Sequence, residues 1–502
     1  MAVDDWAELE HALIEMASSG SAEVREDGEW LAELAELQCE LRREAQQPLV
    51  HLWSDKRNLT RRVLRVKEQT AERIILEVQR FGRAKPGRLE FLRADTPRAA
   101  ARITREQFRS RFRRILTEQF PDATIEGLTS APDLEHSFSG LYVRGRMSEG
   151  PRTWAVMGVS SAENTAAVEG MLAFGILWLG WTRDHAERRA VEGLRFFVPE
   201  GKSRALRERT LGLSPAAKTE VYEFRDVDGQ MQRMDAADAG NLESWLVSRG
   251  EVESTLARAQ DGVTRIRAAA GGDAVIAEAI APRVAPEPNE VALCFRGLQF
   301  ARWTGGELFF GLGEADERLT AATENKFGRL VRELDLHRSP LAEETSHSLY
   351  RAAPERWLET LVLEDPTRLE AALDPQHLYS QVPALRAGDR GVLDLLGVTR
   401  RGRLVVMELK ASEDIQLPLQ AVDYWLRVRR HQHERDFERY GYFSGVVLDE
   451  RPPLLWMVAP GLRFHSATET ILKYLAPEIQ VTRIGLNENW RRGIKVVFRQ
   501  QR

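Results

Sequence analysis

The chain has 502 residues, 43% hydrophobic and 29% charged, with a formal net charge of −5. That length suits about three domains rather than one, and the acidic balance argues against capture of nucleic acid or membrane by bulk charge alone. Two cysteines, Cys39 and Cys294, exclude a disulfide framework and a four-cysteine iron–sulfur cluster, which points to a cytoplasmic protein.

The opening MAVDDWAELEHALIEM carries Asp and Glu where a signal peptide would be basic. Residues 1–46 read as two helices, the first with Trp6, Leu9, Leu13 and Met16 at helical spacing, the second with Trp30, Leu34 and Leu37. Residues 48–95 alternate as short strands, Arg73–Gln79 among them, and complete an N-terminal unit over 1–100. Residues 104–235 mix strands with an apolar helix, Ala167–Trp181. The longest apolar run, Gly170–Leu179, is interrupted by glycines and followed by charge, so no membrane span is expected. Gly201-Lys202-Ser203 is not a P-loop, because Phe196 stands where the first glycine is required.

Residues 236–280 look like a helical connector, and Ala281–Glu290 (APRVAPEPNE) like a proline-rich linker and the clearest domain boundary. Glu290–Leu312 reads as β-structure within a 281–344 segment. Its Phe295, Leu298, Phe300, Trp303, Phe309 and Phe310 suit core packing better than base stacking. Gly311-Leu312-Gly313 runs into Glu-Ala-Asp and fails the dinucleotide fingerprint.

Residues 345–502 hold 23 Lys+Arg against 20 Asp+Glu, a net +3 that leaves −8 for the rest of the chain. Two apolar runs, Val392–Val398 and Leu404–Ala411, flank a Thr-Arg-Arg-Gly-Arg turn and predict a hairpin. Asp394 lies in the first strand, Glu408 and Lys410 in the second. Strand positions two apart share a face, and the hairpin brings Asp394 within reach of them. Two carboxylates and an ammonium in apolar strands are costly to bury unless paired. A hard divalent cation held by oxygen would pair them. The helix that follows has Gln420 and Tyr424 at i, i+4 on one face. An upstream helix, Pro354-Glu355-Arg356-Trp357-Leu358-Glu359, starts with proline at N1 and offers a further carboxylate, Glu355 first and Glu359 second. His431 and His433, at i, i+2 on a helix, point apart and are poor joint zinc ligands.

Asp394, then Glu408-Leu409-Lys410, then Gln420-Ala421-Val422-Asp423-Tyr424 resembles the PD-(D/E)XK nuclease superfamily, and the wording looks closest to RecB-like nucleases and the archaeal and actinobacterial mismatch endonucleases. Leu393 stands where the name-giving proline would be, and the resemblance covers roughly residues 350–500. It implies an α/β multidomain chain whose C-terminal domain, 345–502, is restriction-endonuclease-like, with a mixed central sheet flanked by helices. It further implies a Mg²⁺-dependent nuclease (Mn²⁺ can substitute) acting on DNA in repair, recombination or defence. Asp394 and Glu408 would hold the ion with the Leu409 carbonyl, Lys410 would orient water or steady the transition state, and Gln420, Tyr424 and Glu355 would complete the site. Arg427 and Arg430 on the helix, with Arg491, Arg492 and Lys495 in the basic tail, are the expected strand contacts. The rival reading is a non-catalytic nucleic-acid-binding or scaffold protein built on nuclease-like folds.

The middle of the chain repeats this pattern without its chemistry. Shifted by 250 residues, Trp154–Asn164 lies under Leu404–Asp414. Ungapped, Asp394 falls on Arg144, Glu408 on Gly158, Lys410 on Ser160, Gln420 on Gly170 and Tyr424 on Phe174. Further on, RFFVPEGKSRALRERTLGL parallels LWMVAPGLRFHSATETILKYL, and each copy closes on a β-run, Thr219–Phe224 in one and Ile479–Ile484 in the other. Residues 104–235 are therefore expected to be a degenerate, silent copy. One live site per chain would cut one strand of a duplex; a homodimer, favoured because two-fold pairing is the commonest association, would cut both.

Overall fold

The computed structural model describes residues 101–502 apart from 134, 187–189, 226–227, 236–245, 271–273, 285–288, 314–315 and 383–392. Among the first hundred it describes 9, 12–13, 16, 22–26, 29–34, 38–44, 47–54, 57–70, 73–79, 86–93 and 97–100. Trp6, Leu37 and Val392 thus lie outside the described residues. The chain divides into two compact units, Met1–Phe112 and Arg113–Arg502. Its class is mixed α/β with several sheets.

The first unit is a seven-stranded antiparallel sheet of β1 (Ala22–Glu26), β2 (Glu29–Glu33), β3 (Gln38–Glu44), β4 (Gln47–Ser54), β5 (Arg57–Gln69), β6 (Arg73–Gln79) and β7 (Gly87–Arg93), in the order β2-β1-β7-β6-β5-β4-β3. Leu9, Leu13 and Met16 are helical and buried with Val24, Leu76 and Phe91, as their spacing predicts. The second expected helix is corrected: Trp30 lies in β2 and Leu34 just beyond it. A four-residue interval is even, so it satisfies a strand's alternation as well as a helical turn.

The larger unit holds two six-stranded sheets of one topology. The first comprises β8 (Thr124–Thr129), β9 (Tyr142–Glu149), β10 (Arg152–Val159), β11 (Val191–Pro199), β12 (Thr219–Phe224) and β13 (Met231–Met234) in spatial order. Pairing runs antiparallel, antiparallel, parallel, parallel, antiparallel. Helix α1 (Thr165–Asp184) makes the β10–β11 crossover and α2 (Arg204–Thr210) the β11–β12 crossover, as parallel neighbours require.

Between the two six-stranded sheets in sequence lie α3 (Arg249–Ala269) and a five-stranded sheet of β14 (Ile280–Val284), β15 (Glu290–Phe295), β16 (Leu298–Thr304), β17 (Glu307–Phe310) and β18 (Glu317–Arg318). Phe295, Phe300, Trp303 and Phe310 share its core with Ala259, Val263 and Ile266 of α3, so packing is their role. The linker expected at Ala281–Glu290 is corrected: Ile280–Val284 is an edge strand paired with β15. Pro282 is tolerated there because an edge strand has one ladder side unpaired. Helices α4 (Glu324–His337) and α5 (Pro354–Glu364) follow. Arg338, fully buried just past α4, donates to the carbonyls of Phe295, Arg296, Leu349, Ala352 and Ala353 at 2.6–3.3 Å. Burial lowers its pKa to about 9, with Arg491 and Arg296 adding to the effect, which still leaves it charged at neutral pH. It thereby anchors the segment that starts α5 to the five-stranded sheet.

The second six-stranded sheet is β19 (Leu373–Val382), β20 (Leu393–Thr399), β21 (Leu404–Leu409), β22 (Leu454–Pro460), β23 (Gln480–Leu486) and β24 (Val496–Gln501), again in spatial order and with the same sequence of strand directions. Its crossovers are α6 (Leu417–His433) and α7 (Thr468–Leu472). One core runs through both six-stranded layers, joining Met171, Ile176 and Phe196 to Val406, Val422 and Ile471. The loops after α2 and α7 meet reciprocally. Ser214 N donates to the Tyr474 carbonyl at 2.8 Å and Ala476 N to the Gly212 carbonyl at 2.9 Å, around a Leu213–Leu475 bridge. Leu213 pairs with its own counterpart Leu475, and a shift of 262 turns each of the two hydrogen bonds into the other, as across a two-fold axis. Helix α1 is long and apolar enough to span a membrane, which the sequence reading did not expect, yet 67% of that window is buried inside the protein. It is the core helix of this shared layer.

The β20–β21 hairpin turns on Gly402 at φ +81°, where an added Cβ would sit 2.1 Å from the Val447 carbonyl oxygen. Gly402→Ala is expected to cost about 2–4 kcal/mol, from left-handed strain and overpacking together. A urea midpoint equal to that of the parent protein would contradict this use of the turn.

Candidate active site

Strand β21, LVVMEL, is buried along its whole length, as befits a central strand covered on both faces. Val405, Met407 and Leu409 face a core with Trp357 and Leu358 of α5. Leu404 and Val406, with Leu396 and Val398 of β20, face α6. Alternation puts Glu408 and Asp394 on the α6 side. The register Leu395↔Met407, carried one step further, sets the two carboxylates across from each other. They lie at the carboxyl end of β21, the place where open α/β sheets leave a crevice.

Asp394, its side chain 14% exposed, accepts from Leu409 N at 2.9 Å and lies 3.6 Å from Arg356 Nη1. Lys410 Nζ is 3.5 Å from Glu408 Oε1 and 3.4 Å from Asp414 Oδ2. Glu355 Oε1 accepts from Ala411 N at 3.2 Å. Gln420 and Tyr424 reach the same cleft of about 720 Å³, which Glu169, Arg209, Arg356, Asp423 and Arg427 also line. All six expected chemical residues therefore meet in one cleft. Glu359 does not: it is fully buried and paired with Arg283 at 3.0 Å and Arg356 at 2.8 Å, a structural ion cluster.

Burial raises the Asp394 pKa to about 6, against the pull of the Leu409 amide and Arg356. Burial, reinforced by Asp394, raises Glu408 well above the usual carboxylate range. Burial alone would lower Lys410, but Glu408, Asp414 and Asp394 outweigh it and hold the ammonium charged. Burial and the two carboxylates push the Tyr424 phenol well above its ordinary value, so it remains a donor. Two buried oxygens, Glu408 Oε2 and Gln420 Oε1, have no hydrogen-bond partner among the described residues. Orphaned carboxylate and amide oxygens at the edge of an open cleft fit a hard, oxygen-seeking divalent cation.

Of the expected strand contacts, Arg427 alone lines the cleft, with Nη2 3.7 Å from Glu208. Arg430 pairs with Glu434 at 2.9 Å, Arg492 and Lys495 are exposed, and Arg491 stacks over Tyr350, Trp357 and Trp490 at 4.2–5.2 Å. Sequence reasoning missed Asp423 as a cleft partner of Gln420 and Arg427, although i, i+3, i+7 spacing on one helix would have found it. Arg209 and Glu169 come from the other six-stranded layer, and no local pattern signals them.

In that layer the hairpin register is Met157↔Arg144 and Gly158↔Val143. Since Met157 matches Met407, the residue at Asp394's place is Val143, which corrects Arg144 in the ungapped alignment. Val143 facing Gly158, with Ser160 and Phe174 nearby in the repeat, offers no carboxylate to a cation.

Among the described residues, His431, Glu434 and Asp436 form the one metal-like group of three, with donor atoms within 4.8 Å. Each already has an ordinary partner. His431 Nδ1 bonds Asp436 at 2.7 Å, Asp436 pairs with Arg439 at 2.9 Å, and Glu434 with Arg430 at 2.9 Å. No protein-family model matches the chain, and no curated protein matches it significantly.

An Asp394 pKa raised from 3.8 to about 6 favours the folded state below about pH 4, and that contribution is lost as pH rises through 6. Without divalent cations the protein should lose stability over this range, and Asp394→Asn should remove up to about 3 kcal/mol of the loss. Urea unfolding in a chelator at pH 4–8 tests this; parallel curves for parent and variant would contradict it.

Proposed function

We infer that residues 345–502 form a metal-dependent nuclease of the PD-(D/E)XK type on a restriction-endonuclease-like sheet, hydrolysing DNA phosphodiester bonds. The observation that carries it is the opposed pair Asp394 and Glu408, with Glu408 Oε2 unpartnered among the described residues and Lys410 beside it at the edge of an open cleft. Further support comes from the order of supporting elements: hairpin, Gln-x-x-x-Tyr helix and the upstream carboxylate Glu355. The two-cysteine composition fits a cytoplasmic setting.

Asp394 and Glu408 would hold Mg²⁺ or Mn²⁺, with the Leu409 carbonyl next to them. Such an ion acidifies water and offsets charge on the scissile phosphate. Lys410, kept as an ammonium by its carboxylate neighbours, donates hydrogen bonds to the attacking water or to a phosphate oxygen as negative charge gathers there. Gln420 Oε1, without another partner among the described residues, accepts a hydrogen bond from that water and sets its orientation. Tyr424, held protonated, donates to the strand rather than taking up a proton. Glu355, fixed to Ala411 N, ties α5 to the end of β21 and closes the cleft on that side. With Val143 and Gly158 in the equivalent places, the other layer takes no part in hydrolysis, and each chain has one cutting centre.

Asp394→Asn, Glu408→Gln and Lys410→Ala should each lower cleavage by about 100-fold or more, with circular dichroism and strand binding retained. The assay is a screen of linear, nicked, mismatched, branched and single-stranded DNA and of RNA, with Mg²⁺ or Mn²⁺. Cutting retained by Glu408→Gln, or no cutting of any substrate by the parent protein, would sink the proposal and leave a non-catalytic binding protein as the better account.

A further inference from the structure

The two halves of the pseudo-symmetric contact between the six-stranded layers differ in kind. On the side of the catalytic cleft, Arg209 Nε donates to Asp423 Oδ2 at 2.8 Å, and Arg427 Nη2 lies 3.7 Å from Glu208 Oε2. The loop pairing equates Leu213 with Leu475, a shift of 262, and the helices α1 and α6 are matched by a shift of 250. On the other side of the axis, Arg209 and Asp423 therefore correspond to Ile471 and Ala173, and Glu208 and Arg427 to Thr470 and Leu177. Ile471 and Ala173 are fully buried in the shared core. An apolar pair thus serves the packing at one end of the contact and an ion pair stands at the other. Burying an ion pair instead of apolar side chains is commonly neutral or costly for stability, so packing gives no reason for the charges.

The cleft gives one. Arg209 lines it together with Asp394, Glu408 and Lys410. Burial raises the Asp423 pKa, and Arg209 and Arg427 partly offset this. The other cleft cations are committed: Arg356 to Glu359 and Asp394, Lys410 to Glu408 and Asp414, Arg427 to Glu208. Arg209 spends Nε on Asp423 and Nη1 on the Glu169 carbonyl. Among the described residues, its Nη2 donates no hydrogen bond. Two fixed contacts orient the planar guanidinium and leave one amino group over, the preorganised donor that phosphate recognition uses.

We propose that Arg209, delivered by the silent layer, binds a phosphate oxygen of the nucleic-acid strand lying in the cleft, so that the copy without chemistry completes the binding site of the copy that has it. This rests on the nuclease reading for the identity of the ligand. It assigns the silent layer a role in binding rather than in support alone.

The test uses the full chain. Binding of a fluorescein-labelled 20-base-pair duplex is measured across salt concentrations in the Glu408→Gln background, and cleavage kinetics in the otherwise native protein. Arg209→Met should weaken binding about tenfold, reduce the slope of log K against log salt by about 0.9, and raise KM more than it lowers kcat. Arg209→Lys should recover part of the affinity. Because Arg209→Met alone strands the Asp423 carboxylate, Arg209→Met with Asp423→Asn separates the two roles. A phosphate contact predicts that the double variant stays defective, whereas a purely structural role predicts recovery to the parent's affinity and salt slope, which would overturn the proposal. A parent protein that cuts while the Arg209 variants match it overturns this inference alone. A parent that neither binds nor cuts overturns it together with the nuclease reading.

Discussion

Two carboxylates held face to face across a hairpin, in largely apolar strands, are the constraint to which the rest of the larger unit answers. Asp394 and Glu408 repel each other, lie largely out of water and are only partly compensated by Arg356 and Lys410. A protein selected for stability alone would place Leu or Val there, as the other six-stranded layer does with Val143 opposite Gly158. The strand register, the Gly402 turn and the Arg338 clamp that anchors the start of α5 all fix these carboxylates rather than relieve them. Such a cost is retained where a site needs it.

The second constraint is the pairing of the two six-stranded layers. Their matched strand order, the reciprocal contacts of Gly212–Ser214 with Tyr474–Ala476 and the single core through both give the chain the geometry of a symmetric dimer folded into one polypeptide. One face of the C-terminal layer is thus covered by the other six-stranded layer of the same chain. Charge breaks the symmetry: on one side, oxygen donors and cations gather around a cleft, and on the other Val143, Ala173, Leu177 and Ile471 stand in the places of Asp394, Asp423, Arg427 and Arg209.

Much of this was legible in the sequence because the signals were local. The hairpin, its Gly-containing turn, the helix with Gln420 and Tyr424, and Glu355 at a proline-led helix start all depend on spacings of a few residues, and the structure brings them to one cleft. The repeat was legible for the same reason: its strands and helices keep their order, although the exact partner of Asp394 needed the observed register. Failures came where local pattern is ambiguous or silent. Trp30 and Leu34 satisfy a strand as well as a helix, and the prolines of Ala281–Glu290 look like a linker but begin on an edge strand that tolerates them. Glu359, near-equivalent to Glu355 in sequence, is consumed by Arg283 from the five-stranded sheet. Arg209 lies 214 residues from the carboxylate it meets, a distance no motif spans.

Whether the opposed carboxylates hold a cation decides what this cleft can do. Titration of the full chain with Mn²⁺, followed by calorimetry or by the electron paramagnetic resonance of the free ion, tests this without reference to any substrate. Tight binding by the parent protein, weakened about 100-fold or more in Glu408→Gln, is the result expected. Equal binding by parent and variant, or no binding by the parent, would contradict it.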